Sequence, residues 1–232
     1  MDVSLMYRDE WRRIGAIVWK DLTTERRTKA GLNAVAFMGV LVLLLFGFAL
    51  GPDSEALQTA AAGAMWLAIL FAGVLAFNRS YQLELDGGAL ESLLLYPGAR
   101  WAIFVGKLIA NLVFVILVEL IVIPVAMVLF HVDIPAGWMA ALTVTFLGTF
   151  GFVTLGTFYA AMSSRSRARE VLLPLLLFPM LIPVLLGAVQ ASTSLLAGDP
   201  MHEAGAWVRL LTAFDIIFLV ASLFAFEYVI EV

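Results

Sequence analysis

The sequence predicts an all-α, polytopic integral membrane protein with six spans, and three observations carry that prediction. Of 232 residues, 62% are hydrophobic and only 14% charged, against about 25% charged in an average soluble domain, and the mean hydropathy is +0.99. Six apolar runs, near 32–50, 58–77, 101–130, 137–162, 171–192 and 207–228, each supply the roughly twenty helical residues that cross about 30 Å of hydrocarbon. Positive charge falls in alternate gaps between those runs. Every backbone polar group in lipid must be satisfied within its own segment, so each run is read as a helix.

Residues 1–31 precede the first span and hold Arg8, Arg12, Arg13, Lys20, Arg26, Arg27 and Lys29. The short apolar core and small-residue cleavage site of a secretory signal are missing, so this segment is expected to be retained. Trp11, Ile14, Val18 and Leu22 recur at three- and four-residue spacing, which predicts a basic, amphipathic interfacial helix. Two roles fit it: an anchor on anionic lipid, and a lever that contacts a partner. Residues 32–232 are read as one membrane domain. Arg79, Arg100 and Lys107 flank its second gap and Arg165, Arg167 and Arg169 fill its fourth, whereas the other gaps hold only Arg209 at one edge. The positive-inside rule then puts both termini in the cytoplasm. The links 51–57 and 131–136 are short and punctuated by Pro52 and Pro135, so the helices they join are antiparallel neighbours.

In the second span Ala60, Ala64, Ala68, Ala72 and Ala76 repeat every four residues, and the fourth is rich in Gly148, Thr149, Gly151, Thr154, Gly156 and Thr157. Small residues at such spacing let helices approach closely. Glu119 lies mid-way along the third span, where an uncompensated charge costs about 2.5–3.5 kcal/mol, so it must be neutral, paired or facing water. A buried structural hydrogen bond and a proton or substrate contact both fit, and no partner at the same depth is evident. Pro174, Pro179 and Pro183 in the fifth span predict a bend or break, and the arginine-rich linker before it reads as a solvated cytoplasmic turn. Asp215 and Glu227 in the sixth are assigned to the interfaces. His131 and His202 fall in external segments; a neutral imidazole is a haem-iron ligand in principle, but isolated loop histidines are ordinarily bystanders. The chain has no cysteine, which excludes disulfides, thiolate metal sites and covalent haem attachment.

Between the second and third spans, residues 78–100 predict a polar cytoplasmic hairpin: the second helix runs on to Leu85, Asp86-Gly87-Gly88 breaks it, and 89–96 form a short helix ending at Pro97. Leu90, Leu93 and Leu94 beside Glu91 and Ser92 suit docking in a groove on a cytoplasmic partner; a helix lying in the headgroup layer is the plainer alternative. This stretch, with Asp86-Gly87, Leu90-Glu91, Leu94, Pro97 and Gly106-Lys107 in order, resembles the coupling region of six-span, ABC-2-like exporter permeases. Within that group the chain resembles the CcmB (haem exporter protein B) family, and 166–183, followed by Gly187 and Ala188, is similar to that family's fourth linker and proline-rich fifth helix.

The resemblance implies a non-catalytic permease of the bacterial inner membrane, acting in haem export or delivery for c-type cytochrome maturation. Its implied partners are a separate CcmA-like ATP-binding subunit, a CcmC-like membrane subunit, a small accessory membrane subunit and a second copy of itself. Asp86, Gly87, Leu90, Glu91, Leu94 and Pro97 would couple to the ATPase. ATP acts through that partner, haem is the implied cargo, and no cofactor, metal or nucleic acid is expected on this chain. The residues agree with this division of labour. No Gly-x-x-x-x-Gly-Lys-Ser/Thr loop occurs, since Gly98 and Gly106-Lys107 have the wrong separation and lead into a membrane helix. The competing function is an ion- or proton-coupled transporter or channel using Glu119, although one interrupted helix without an internal repeat is a poor match to that class. An intramembrane enzyme lacks its paired carboxylates or metal motif.

Overall fold

The computed structural model describes residues 3–28, 30–86, 100–163, 169–199 and 202–229. These residues form helices α1 (Val3–Thr28), α2 (Ala30–Leu50), α3 (Ser54–Asp86), α4 (Arg100–Phe130), α5 (Trp138–Ser163), α6 (Arg169–Leu196) and α7 (Ala204–Val229), with no strand among them. Helices α2 to α7 are each long and apolar enough to cross a membrane. The six spans and the helix before them therefore stand where the apolar runs and the amphipathic pattern put them.

The links before α3 and α7 are set by side chains that take up the free amides of helix N-termini. Asp53 Oδ1 accepts from the amides of Glu55 (3.0 Å) and Ala56 (3.3 Å) at the start of α3. Asp199 Oδ1 accepts from those of Glu203 (2.8 Å) and Ala204 (3.2 Å) at the start of α7. Gly51 follows α2 with φ +69°, the left-handed conformation that closes many helices and that glycine adopts without a Cβ penalty.

Helix α5 packs against α3, α4, α6 and α7. It is fit for that position because its small residues leave room for large neighbours. Trp66 of α3 fills the space at Gly148, and Phe77 of α3 fills the space at Gly156. Reciprocally, Phe152 of α5 fills the space at Gly73 of α3. The two phenylalanine rings meet with centroids 5.0 Å apart and planes tilted by 56°. Trp66 Nε1 also donates to Ser192 Oγ of α6 (2.9 Å), so one indole joins three helices. The alanine repeat of α3 does what its spacing predicts, with Ala64, Ala68, Ala72 and Ala76 all buried.

The fifth span carries the three prolines at which a bend or break is expected, and the structure shows no break there. Helix α6 runs unbroken from Arg169 to Leu196 through Pro174, Pro179 and Pro183. Helix α4 likewise continues through Pro124, a proline the sequence reading passes over. A fully broken helix would turn several backbone groups toward hydrocarbon, whereas an embedded proline frees only one or two.

Candidate functional site

One end of the bundle is built around α1. Its side chains separate into two faces by charge and burial. Glu10, Ile14, Ile17, Asp21 and Glu25 turn inward, with Ile14 and Ile17 fully buried. On a helix of 3.6 residues per turn the opposite side carries Trp11, Arg12, Gly15, Trp19 and Arg26, all exposed. This corrects the predicted apolar stripe of Trp11, Ile14, Val18 and Leu22. Ile17 is at its centre, and Trp11 is 62% exposed. The periodicity was right but its phase was not, because tryptophan serves an interface as readily as a core.

The inward face of α1 meets both legs of the hairpin. Asp21 Oδ2 lies 2.8 Å from Nζ of Lys107, which is on the outgoing leg α4 and only 1% exposed. Lys20 Nζ stands 3.2 Å from the other oxygen of the same carboxylate. Glu25 Oε2 lies 3.8 Å from Nε of Arg79 on the incoming leg α3. Ile17 sits directly over Gly106, and Gly31 leaves the room that the Glu25 and Arg79 side chains occupy. Between them is a cavity of about 200 Å³ with Asn111, Ser80 and Thr24 on its wall. The legs are thus tied to α1 by one buried and one half-buried ion pair. Of the residues expected to couple, Asp86 ends α3, while Gly87, Leu90, Glu91, Leu94 and Pro97 lie outside the described residues.

Deeper in the bundle a pair of polar contacts joins α4 to α5. Asn111 Nδ2 donates to Thr157 Oγ1 at 3.0 Å, and the hydroxyl of Thr149 donates to Oε1 of Glu119. The members are eight residues apart on each helix, about 12 Å of rise, so one antiparallel register satisfies both, and Val115 and Val153 are buried at the position between. Thr149 is the partner at matching depth that the sequence reading did not find. It was counted there only as a small residue for packing.

Asp215 is a second correction. It stands mid-way along α7, 4% exposed, against Gly151 and away from either interface. Neither carboxyl oxygen has a hydrogen-bond partner. Thr149 and Gly151 lie on opposite sides of α5, so the two buried acids flank that helix rather than face each other. Glu227 is exposed near the C-terminal end of α7, and its carbonyl accepts from Arg100 Nη1 (3.1 Å). His131 and His202 are exposed, with φ of +52° and +55°. Each lines a different cavity, and among the described residues no group of three His, Cys, Asp or Glu could hold a metal ion.

Comparison with known proteins agrees with this architecture along almost its whole length. The family model described as "CcmB protein" matches residues 12–232. The chain is 31% identical over 192 residues to "Heme exporter protein B" of Pseudomonas aeruginosa, covering 81% of this chain and 83% of that one. It is 30% identical over 171 residues to the protein of the same name from Rhodobacter capsulatus (74% and 78% covered). With that of Bradyrhizobium diazoefficiens the identity is 28% over 212 residues (91% and 94% covered). A six-span bundle with a basic helix ahead of it, matched from that helix to the last residue, belongs to the CcmB protein family.

Proposed function

We propose that this chain is the membrane permease subunit of an ABC transporter that exports or delivers haem for c-type cytochrome maturation, with ATP hydrolysed by a separate CcmA-like subunit. Residues 1–31 are its interfacial helix and 32–232 its permease domain, and both termini face the cytoplasm of the bacterial inner membrane. The observation that carries this reading is the pinning of both hairpin legs to α1, through Lys107 and Asp21 and through Arg79 and Glu25. A loop that only reversed the chain would need no such brace, whereas a loop that takes force from a partner needs stiff legs. Closure of the ATPase against Asp86, Gly87, Leu90, Glu91, Leu94 and Pro97 would move α3 and α4 as a rigid body. The family relationship supports haem as the cargo class. A CcmC-like subunit, a small accessory subunit and a second copy of this chain complete the proposed complex.

Co-expression with the ATPase subunit tests the proposal. The wild-type chain is expected to copurify with it in detergent, and Leu90→Asp/Leu94→Asp is expected to insert normally yet lose both the association and cytochrome c maturation. A double variant that assembles and matures cytochrome c as well as the wild type sinks the proposed coupling role.

The ion-coupled reading places function at Glu119, so the two readings differ in what Glu119→Gln does. The amide oxygen of glutamine accepts from Thr149 as the carboxylate does. Under the permease reading this variant therefore keeps cytochrome c maturation within about two-fold of wild type, a change of under ~0.5 kcal/mol. Loss of a proton flux carried by the purified chain alone in liposomes would instead establish ion coupling.

A further inference from the structure

We propose that the outward face of α1 is a docking surface for anionic phospholipid headgroups. The sorting of charge on this helix is the first observation. The acids Glu10, Asp21 and Glu25 all turn inward, where Asp21 and Glu25 meet Lys107 and Arg79. What remains exposed between residues 10 and 26 is Trp11, Arg12, Gly15, Ala16, Trp19, Thr24 and Arg26, with no acid among them. Among the described side chains from residue 10 to residue 26, the charged and aromatic ones on the outward side are thus cations and indoles.

The second observation is height. Asp21 meets Lys107 seven residues into α4, and Glu25 meets Arg79 near the end of the α3 span. Residues 17–25 of α1 are therefore level with the ends of the spans, where headgroups lie. Trp19, within that stretch, is 70% exposed, and Trp11, about two turns before it, is 62% exposed; tryptophan at the interface seats its ring among headgroups and upper acyl chains. Gly15 and Ala16 between them add no bulk. Two largely exposed indoles flanked by arginines at membrane height match a surface of phosphates over hydrocarbon. The inference does not depend on the ATPase partner, so it stands or falls separately from the proposed coupling.

The chain has no cysteine, so Ala16→Cys gives a single site on this face for a nitroxide label. The full chain is placed in nanodiscs of phosphatidylcholine, alone or mixed with phosphatidylglycerol. The accessibility of the label to oxygen, which partitions into lipid, is compared with its accessibility to a water-soluble nickel chelate. Adding phosphatidylglycerol is expected to draw the label into the oxygen-rich layer. Each arginine contributes about a five-fold preference for the immersed position, so Arg12→Gln/Arg26→Gln removes most of the response and high salt weakens it. Both arginines are exposed, and an unchanged thermal transition of the variant checks that its fold is kept. Equal immersion with and without phosphatidylglycerol overturns the proposal, as does a response unchanged by the arginine substitutions. A label shielded from both reagents would show that a protein surface, such as a second copy, covers this face instead.

Discussion

Asp21→Ala is expected to lower the stability of the folded chain by about 3–5 kcal/mol, because it leaves the Lys107 ammonium buried without its anion. Lys107 is only 1% exposed and cannot rotate its charge into water. At about 2–4 °C per kcal/mol for a chain of this size, the thermal transition in detergent falls by roughly 6–20 °C. The reverse substitution, Lys107→Met, is expected to cost less. Asp21 keeps Lys20 at 3.2 Å and is itself 16% exposed, so its charge retains both a partner and some water. The double variant Asp21→Ala/Lys107→Met removes both charges and is expected to be more stable than Asp21→Ala alone, since an apolar pair avoids the desolvation that an unpaired charge suffers. Scanning fluorimetry on the four proteins checks the order. If Asp21→Ala melts with the wild type, the pair is not a brace.

The second large effect is at the α3–α5 contact. A valine at Gly156 would place its Cβ within the ring of Phe77, which is fully buried. Phe77 has no room to retreat, because Phe152 packs against it at 5.0 Å and itself fills the space at Gly73. Overpacking of this kind typically costs about 1–3 kcal/mol, occasionally more, a fall of some 2–12 °C at the same conversion. Phe77→Leu in the same chain is expected to restore part of the loss by making room. Gly63→Ala is the control, since nothing lies within 4 Å of a Cβ there; it should leave the transition in place. Equal behaviour at Gly63 and Gly156 would mean that α5 does not owe its place to the missing side chains.

These two sites mark the boundary of what the sequence makes legible. The six spans are readable because a run of apolar residues in lipid has one outcome, and the alanine and glycine repeats are readable because close packing needs small residues at helical spacing. The partners are not readable in the same way. Thr149 and Glu119 are 30 residues apart, and only the register of α4 against α5 brings them together. The ion pair of Asp21 with Lys107 spans a longer separation and depends on which face α1 turns inward. Asp215 was misplaced because its distance from the nearest loop could not be judged until α7 was seen to begin at Ala204. The coupling residues of the hairpin tip rest on family resemblance and on the stiffness of the legs below them.

The contact between Glu119 and Thr149 also bears on how the chain is made. α4 is synthesised before α5, so it must enter the bilayer while its carboxylate has no hydroxyl to meet. It is the most apolar of the six spans. In residues 108–125, fourteen of eighteen are Leu, Ile, Val or Phe, worth about 4–8 kcal/mol on an insertion scale, which exceeds the roughly 2.5–3.5 kcal/mol that a central acid costs. The least apolar span, α5, contributes only a neutral hydroxyl. The acid is thus carried by the helix that enters without help, and its partner by the one that follows it into place.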